Sequence, residues 1–91
     1  MDSIHLEIRG RVQGVGFRWY IVEAARELRL AGWVRNRPDG NVELAAGGER
    51  EALAKLERAC AEGPPGARVE QVRKLGPIAT DSLDLPFGIA R

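Results

Sequence analysis

The feature of this sequence that most constrains its fold is a change of apolar period across a glycine-rich junction. Before the junction, Ile4, Leu6 and Ile8 alternate with polar residues, and this period of two predicts a half-buried strand. After it, apolar residues recur every three or four positions, which predicts an amphipathic helix. The junction reads GRVQGVGFR (residues 10–18) and contains no acidic residue. The chain therefore begins with a strand, a short flexible loop and a helix.

The segment after the junction predicts that this helix is followed by a hairpin. Gly32 is suited to end the helix. The apolar stripe of the helix consists of Phe17, Ile21, Ala24, Ala25 and Leu28. Two strand-like segments, at residues 33–35 and 41–46, flank the turn sequence Pro38-Asp39-Gly40. Because proline presets φ and glycine accepts a positive φ, this turn joins the two segments as a hairpin.

A second helix and a further strand complete the pattern. Residues 49–63 form an amphipathic helical segment that ends at a glycine. Its apolar stripe consists of Leu53, Leu56, Ala59 and Cys60. Residues 67–76 predict a strand in which Val69 and Val72 interrupt the alternation, which indicates a bulge or an irregularity. Residues 78–85 predict a loop, and the alternation of Phe87, Ile89 and Arg91 predicts a short terminal strand.

The resulting order is β-α-β-β-α-β with a short C-terminal strand, which is typical of an α+β fold. It predicts a ferredoxin-like split β-α-β sandwich, with two helices on one face of a mainly antiparallel sheet. A length of 91 residues leaves room for a single domain, residues 1–91. The sheet face toward the helices would be apolar and the other face more polar. The apolar face would consist of Ile4, Leu6, Ile8, Val42 and Leu44.

Composition and charge narrow the classes of function. A formal net charge of +1 argues against a general nucleic-acid binder, which would carry a strongly basic face. Cys60 is the only cysteine, so an intrachain disulfide and a cysteine-rich zinc site are excluded. Its place on a helix stripe favours a small buried hydrophobe over a nucleophile. No segment has the pattern of a signal peptide or a membrane span, so we expect a cytoplasmic protein without membrane contact.

The junction has the properties of an anion site. A helix N-terminus offers unpaired N–H groups and a partial positive charge. Gly14 and Gly16 let successive amides turn into a concave nest, whereas Gly10 serves the end of the strand. Arg18 adds a guanidinium fork that suits two phosphate oxygens. The spacing matches neither GxGxxG nor a Walker loop, and a tight turn whose glycines only solve a backbone problem explains it equally well.

Topology predicts a second polar group at the same edge of the sheet. In a split β-α-β unit, the strand after the first helix runs parallel to the first strand, with one strand between them. The C-terminal end of residues 33–36 should therefore meet the glycine-rich junction, where Asn36 would face it. An amide both donates and accepts hydrogen bonds, so it can hold a water molecule beside a bound anion. Taken alone, Asn36 is better explained as a turn residue before Pro38.

The two segments GRVQGVGFR and GWVRNRPDG together resemble the acylphosphatase family, and the resemblance covers essentially the whole chain. The first motif matches at Gly10, Val12, Gln13, Gly14, Val15, Phe17 and Arg18. The second matches at Gly32, Trp33, Val34, Asn36, Gly40 and Val42. Gly16 fills a variable place of the first motif, and residues 82–85 are the least family-like part. The resemblance implies hydrolysis of small acyl phosphates to a carboxylate and inorganic phosphate.

The resemblance also implies roles for the matching residues. Arg18 would bind the phosphate, and Asn36 would orient the attacking water. The cradle within the 12–18 loop would be completed by the backbone amides of Gly14, Val15, Gly16, Phe17 and Arg18. Neither motif contains a general base, and family resemblance points the same way. We therefore expect the substrate's own phosphate to take the proton of the water.

The sequence predicts no further participant in the reaction. His5 alternates onto the sheet face away from the helices and is expected to be an exposed structural residue, and Asp39 is sufficiently explained as a turn residue. No cluster of carboxylates converges on the junction, so neither a metal nor any other cofactor is expected. Arg11, Arg35 and Arg37 are expected to be exposed to solvent, with at most a steering effect on an anionic substrate.

Two classes of binding domain are alternatives to an enzyme. Ferredoxin-like domains also bind single-stranded RNA through sheet aromatics, but HLEIRG and NVELAA carry none, and Trp33 and Phe87 are expected to be packing residues. A non-catalytic regulatory domain that binds phosphate or an acyl phosphate would use the same cradle. The chain ends at Arg91 without a linker, which favours a free-standing enzyme, and a monomer is the default for so small a chain.

Overall fold

A computed structural model describes residues 1–90, and its elements follow the predicted order. The strands are β1 (Asp2–Arg11), β2 (Ala31–Asn36), β3 (Val42–Gly48), β4 (Arg68–Lys74) and β5 (Gly88–Ile89). The helices are α1 (Phe17–Glu27) and α2 (Arg50–Glu62). Both helices pack on one face of the five-stranded sheet, so the predicted α+β split β-α-β class is confirmed. Arg91, part of the pattern that predicts a terminal strand, lies outside the described residues.

The strand order β4-β1-β3-β2-β5 brings β1 and β2 into parallel orientation. Strand β3 lies between them and is antiparallel to both, while β5 is parallel to β2. The C-terminal ends of β1 and β2 therefore meet at one edge of the sheet, as the split β-α-β pattern predicted. Within residues 1–90, neither α1 nor α2 combines the length and the apolar run needed to cross a bilayer.

The apolar core lies between the sheet and the two helices. From the sheet it takes Leu6, Ile8, Val34, Val42 and Leu44. From the helices it takes Phe17, Ile21, Val22, Ala25, Leu53, Leu56 and Cys60. Phe87, just before β5, is also fully buried there, which confirms it as a packing residue. Each side chain of this size stabilises the fold by about 1.5–3 kcal/mol when fully buried. Burial of these side chains therefore strongly favours the sheet orientation in which the alternating apolar residues face the helices.

Tyr20 of α1 joins the two helices. Its hydroxyl donates a hydrogen bond of 2.9 Å to the carbonyl of Ala59 in α2, and its ring meets Phe17 edge-on. Burial raises the pKa of this hydroxyl, with Glu62 and Cys60 adding to the rise. Tyr20 therefore remains a neutral donor that fixes how α1 lies on α2.

The irregularity predicted for β4 is present where β4 pairs with β1. Arg9 lies opposite Gln71 and Gly10 lies opposite Val69, so Glu70 is the extra residue of a bulge. Gly10 has a φ of 135°, and a Cβ at this position would come within 2.1 Å of the Arg68 carbonyl oxygen. The bulge therefore requires glycine at the end of β1, as was expected for Gly10.

The prediction that Gly32 ends the first helix is wrong. Helix α1 ends at Glu27, and the left-handed position after it is taken by Arg29, with a φ of 58°. Gly32 instead lies inside β2, where a Cβ would come within 2.0 Å of the Ala45 carbonyl oxygen. The glycine is thus required by close approach of two strands and not by the end of the helix.

The connection from β4 to β5 must cross the sheet, because these strands form its opposite edges. It crosses on the face away from the helices, where Leu83 packs with Ala31 and Ala45 and Ile78 packs beside them. The Ser3 hydroxyl donates to the Ile78 carbonyl at 3.0 Å. The segment predicted as a loop contains one 3-10 turn, Thr80–Ser82. This face is therefore more covered than the sequence indicated.

We expect Gly32→Ala to lower the free energy of unfolding by about 3 kcal/mol or more. A positive φ and an overpacked contact each cost about 1–3 kcal/mol, and Gly32 would incur both. Gly66→Ala is the matched control, because Gly66 also has a positive φ of 90° but has open space where a Cβ would lie. Its loss should be about 1–2 kcal/mol. Urea denaturation of both variants compares them, and equal losses would contradict the close approach at Ala45.

Candidate functional site

The loop between β1 and α1, residues 12–16, is called the glycine loop. Val12 and Val15 turn into the core and hold the loop on the body of the protein. Gly14 and Gly16 have φ values of 75° and 78°, the left-handed region that favours glycine. Nothing lies within 4 Å of where a Cβ would be at either glycine. The loop is thus anchored by its valines and leaves its glycine backbone open to a ligand.

The N-terminus of α1 presents free amides beside the glycine loop. Gly16 is the N-cap residue, no side chain caps the helix, and its first turn carries no acidic residue. The first helical hydrogen bond runs from the Tyr20 N–H to the Gly16 carbonyl at 3.0 Å. Within residues 1–90, no N–H group of residues 14–18 donates to a backbone or side-chain acceptor. Free donors and the positive end of the helix dipole therefore coincide here.

Arg18 adds an uncompensated positive charge to this end of the sheet. It is half-buried in the first turn of α1. Among the ion pairs formed by residues 1–90, none includes Arg18, whereas Arg35, Arg37 and Arg73 are all paired with carboxylates. A half-buried arginine with no carboxylate partner, in the same helical turn as the free amides, favours binding of an anion here.

Asn36 is the last residue of β2 and lies on the helix side of the sheet. It pairs with Val42, and the strand alternation places it on the same face as the core residue Val34. Its side-chain Oδ1 is buried and has no hydrogen-bond partner among the described residues. A buried polar atom left without a partner costs about 1–3 kcal/mol, so the arrangement calls for an explanation. Rotation by 180° about χ2 exchanges this acceptor with the Nδ2 donor in the same volume.

Gln13 connects the glycine loop to the turn that follows Asn36. Its Nε2 donates to the Arg37 carbonyl at 2.8 Å and to the Asn41 carbonyl at 2.9 Å. Because Gln13 adjoins Gly14 and Arg37 adjoins Asn36, the glycine loop and Asn36 lie at the same edge of the sheet, as predicted. Gln13 belongs to the first family-like motif, and its link to the turn was not predicted from the sequence. Its signal was a single long polar side chain between Val12, which is buried, and Val15, which is partly buried.

The turn at residues 37–41 is closed by its own hydrogen bonds. The Arg37 N–H donates to the Asn41 carbonyl at 2.8 Å, and the Gly40 N–H donates to the Arg37 carbonyl at 3.1 Å. The Asp39 carboxylate accepts from the Asn41 N–H at 3.0 Å. Asp39 is therefore a turn residue, as expected, and the turn offers a fixed platform to the loop.

The sheet face away from the helices carries a charge network that the sequence pattern does not predict. We call it the open-face network, and it consists of His5, Glu7, Arg35, Arg37, Glu43 and Arg73. Glu43, 5% exposed, lies 2.6 Å from His5 Nε2 and 2.7 Å from an Arg35 nitrogen. Glu7, 8% exposed, lies 2.7 Å from an Arg73 nitrogen and 3.3 Å from Arg37 Nε. The two nearly buried carboxylates thus interact with one histidine and three arginines.

The network corrects the expected exposure of His5 and Arg37, whereas Arg35 is exposed, as expected. His5 is half-buried against Glu43 and meets Trp33 edge-on, so the prediction of an exposed histidine is wrong. Arg35 and Arg37 are tied to carboxylates and are not simply solvated, and Arg35 also lies over the Trp33 ring. Trp33 is a packing residue, as expected. The alternation of apolar and polar residues predicts on which face of the sheet a side chain lies. It does not predict which side chains on neighbouring strands it contacts.

The electrostatics of Glu43 reflect two opposing effects. Burial raises the pKa of its carboxyl, whereas hydrogen bonds from His5 and Arg35, reinforced by their charges, lower it. The lowering prevails, so the pKa of Glu43 lies below its ordinary value. Glu43 therefore remains an anion at neutral pH and holds its two partners in place.

The remaining titratable groups give no sign of a metal centre or a reactive thiol. Within the part of the chain that the structure describes, no three His, Cys, Asp or Glu side chains come together as a metal site would require. Cys60 is fully buried in α2, and burial raises the pKa of its thiol to about 12. It therefore stays protonated and serves as a small hydrophobe, as expected.

Comparison with known proteins gives a consistent result. The family model described as Acylphosphatase matches residues 4–82. An acylphosphatase of Acidiphilium cryptum is 54% identical over 72 residues, covering 79% of each chain, and one of Nitrobacter hamburgensis is 45% identical over 84 residues, covering 90% of this chain and 84% of the relative. The crystal structure of the Bacillus subtilis acylphosphatase has a TM-score of 0.93 at 35% identity, with full coverage of both chains.

The same fold also occurs as a small part of a larger protein. The crystal structure of HypF from T. kodakarensis matches with a TM-score of 0.85 and 29% identity. That match covers all of this chain but only 12% of the HypF chain. The fold is therefore found both as a chain of similar length and within a much longer one.

We expect Glu43→Gln to make the free energy of unfolding depend less on pH in the acidic range. A depressed native pKa means that the ionised carboxyl contributes stability that is complete above about pH 5 and is lost as the pH falls through the native pKa. The variant should therefore be less stable at neutral pH but lose less stability than the wild type between about pH 5 and pH 3. Urea denaturation at a series of pH values measures this. Glu23→Gln, at an exposed site in the middle of α1, should follow the wild type. A Glu43→Gln curve as steep as that of the wild type would disprove the role of Glu43.

Proposed function

The chain belongs to the acylphosphatase family, and from that premise we propose that it hydrolyses the carboxyl–phosphate bond of small acyl phosphates. The products are a carboxylate and inorganic phosphate. The family model and the acylphosphatase relatives support an enzyme with this general activity. The finer proposal is supported by the unpartnered Oδ1 of Asn36, at the edge of the sheet to which Gln13 ties the glycine loop before the free amides and Arg18.

The phosphate is held by the glycine loop and the start of α1. The backbone amides of Gly14, Val15, Gly16, Phe17 and Arg18 donate to its oxygens. Arg18 adds a forked, charged donor. Phosphoryl transfer asks mainly for positioning and for neutralisation of charge on the three equatorial oxygens. Fixed amides beside a helix N-terminus do this without reorganising during the reaction.

Asn36 orients the water that attacks the phosphorus. The support for this role is its Oδ1, a buried acceptor that no described residue satisfies. Turned toward the bound phosphate, this acceptor takes a hydrogen bond from the water and directs the water's lone pair at phosphorus. The water is then held in line with the departing carboxylate, which lowers the entropic part of the barrier.

Proton transfer is assisted by the substrate. The water oxygen forms a bond to phosphorus while the bond from phosphorus to the carboxylate oxygen breaks. The proton of the water passes to an oxygen of the same phosphate, and the carboxylate leaves with the electron pair. A carboxylate is a good leaving group, so no general acid is required. The reaction as proposed uses no metal, because Arg18 and the amides supply the positive charge.

We expect Arg18→Gln and Asn36→Ala to impair benzoyl phosphate hydrolysis in different ways. Loss of a charge-stabilising donor typically costs about 10²–10³-fold in rate, and Arg18→Gln should also weaken phosphate binding and so raise KM. Asn36→Ala should lower kcat by about 10²-fold and leave KM nearly unchanged, because it misplaces the water and not the phosphate. Arg58→Gln, at an exposed site on α2, is the control and should keep wild-type kinetics.

The same assay tests the alternative of a non-catalytic domain that binds phosphate or an acyl phosphate. Inorganic phosphate binding by the wild type without any turnover of benzoyl phosphate would favour that alternative. Turnover that persists at the wild-type rate in both site variants would instead show that the chemistry lies elsewhere.

We expect His5→Gln to retain turnover within about threefold, since loss of a true general base costs about 10²–10⁴-fold. His5 lies in the open-face network, on the side of the sheet opposite to Asn36. Circular dichroism establishes that the variant is folded at the assay temperature, and the kcat for benzoyl phosphate is then compared with that of the wild type. A folded variant with a hundredfold lower kcat would contradict substrate assistance and would favour His5 as a general base.

A further inference from the structure

We propose that Gln13 is a positioning residue that sets the distance between the phosphate cradle and Asn36. The inference rests on the proposed function, in which the glycine loop and Arg18 hold the phosphate and Asn36 holds the water. These two parts belong to different segments of the chain, so a catalytic geometry requires something that fixes one relative to the other. The hydrogen bonds of Gln13 are placed to do so.

Gln13 commits its whole donor capacity to this link. A side-chain amide has two N–H donors, and the Nε2 of Gln13 is bonded to the two carbonyls at the ends of the 37–41 turn. The distances, 2.8 Å to Arg37 and 2.9 Å to Asn41, are those of good hydrogen bonds. Two bonds to two fixed acceptors determine both the position and the orientation of the amide.

The turn that receives these bonds is held independently of Gln13. Its two carbonyls also accept from the Gly40 and Arg37 N–H groups within the turn. On the open face, Arg37 Nε lies 3.3 Å from a Glu7 oxygen and 3.4 Å from an Asp39 oxygen. The turn is therefore fixed to β1 and to itself, and Asn36 enters it directly from β2.

The glycine loop is held less strongly on the side of Asn36. Val12 and Val15 anchor it on the core, but Gly14 and Gly16 have open space around them and a backbone free to take many conformations. Gln13 is the member of the loop whose side chain reaches the turn. Removal of its donors should let the loop move relative to Asn36 while the turn stays closed.

The consequence falls on the alignment of the water more than on phosphate binding. The cradle is formed by the amides of residues 14–18 and by Arg18, which follow Gln13 along the chain. A displacement of about 1 Å between reacting groups costs about 10²-fold in rate even when each group remains present. Gln13 therefore acts through Asn36 and is not expected to touch the substrate.

The test is Gln13→Met, which keeps the length of the side chain and removes both donors. We expect kcat for benzoyl phosphate to fall by about 10–100-fold, with KM and the affinity for inorganic phosphate within about threefold of the wild type. Gln71→Met is the matched control, because Gln71 is the other glutamine of the chain and lies exposed on β4. It should leave all three quantities unchanged.

A double-mutant cycle with Asn36→Ala separates positioning from simple stabilisation. If Gln13 acts by aligning Asn36, Gln13→Met should have almost no further effect on kcat once Asn36 is alanine. Losses in kcat that multiply in the double variant would overturn the proposal, and so would a wild-type kcat in Gln13→Met. A fall in phosphate affinity as large as the fall in kcat would assign Gln13 to the cradle and also overturn it.

The outcomes distinguish this inference from the proposed function. Absence of turnover in the wild type rejects the proposed function itself. Turnover in the wild type that depends on Arg18 and Asn36 but not on Gln13 leaves the function standing and rejects only the positioning role.

Discussion

Leu6, Leu44 and Val34 lie side by side across β1, β3 and β2, and the apolar layer that they form against the helices tolerates one strand register. A slip by one residue would turn every second side chain to the opposite face of the sheet. The same register places Asn36 opposite Val42, on the helix side and at the end where the glycine loop begins. Core packing thus determines where the polar groups of the site can meet.

The arginines on the two faces of the sheet differ in whether a carboxylate neutralises their charge. On the open face, Arg35, Arg37 and Arg73 neutralise two carboxylates that are almost buried, and their charges serve the structure. Arg18, at the start of α1, has no carboxylate partner among the described residues and is available to an anion. The network does more than balance charge, because Arg37 also belongs to the turn beside Asn36. The stability of one face and the geometry of the site are therefore linked through this turn.

Local patterns in the sequence predicted the element order, the core face and the β4 irregularity, because each depends on residues that are near one another in the chain. The arrival of Asn36 at the glycine loop was also predictable, since it follows from the split β-α-β topology. The ion pairs of Glu7 and Glu43 were not, because their cationic partners come from different segments of the chain. The end of α1 was misplaced because Arg29 takes a conformation for which glycine is the usual signal.

The bulge in β4 affects how this edge of the sheet can associate with another copy of the chain. An unpaired sheet edge is a template for strands of another chain, and proteins avoid this with charges, bulges and short edge strands. Strand β4 combines a bulge at Glu70 with exposed Arg68, Arg73 and Lys74, and the opposite edge is the two-residue β5. Both edges thus discourage the strand-to-strand stacking that leads to amyloid.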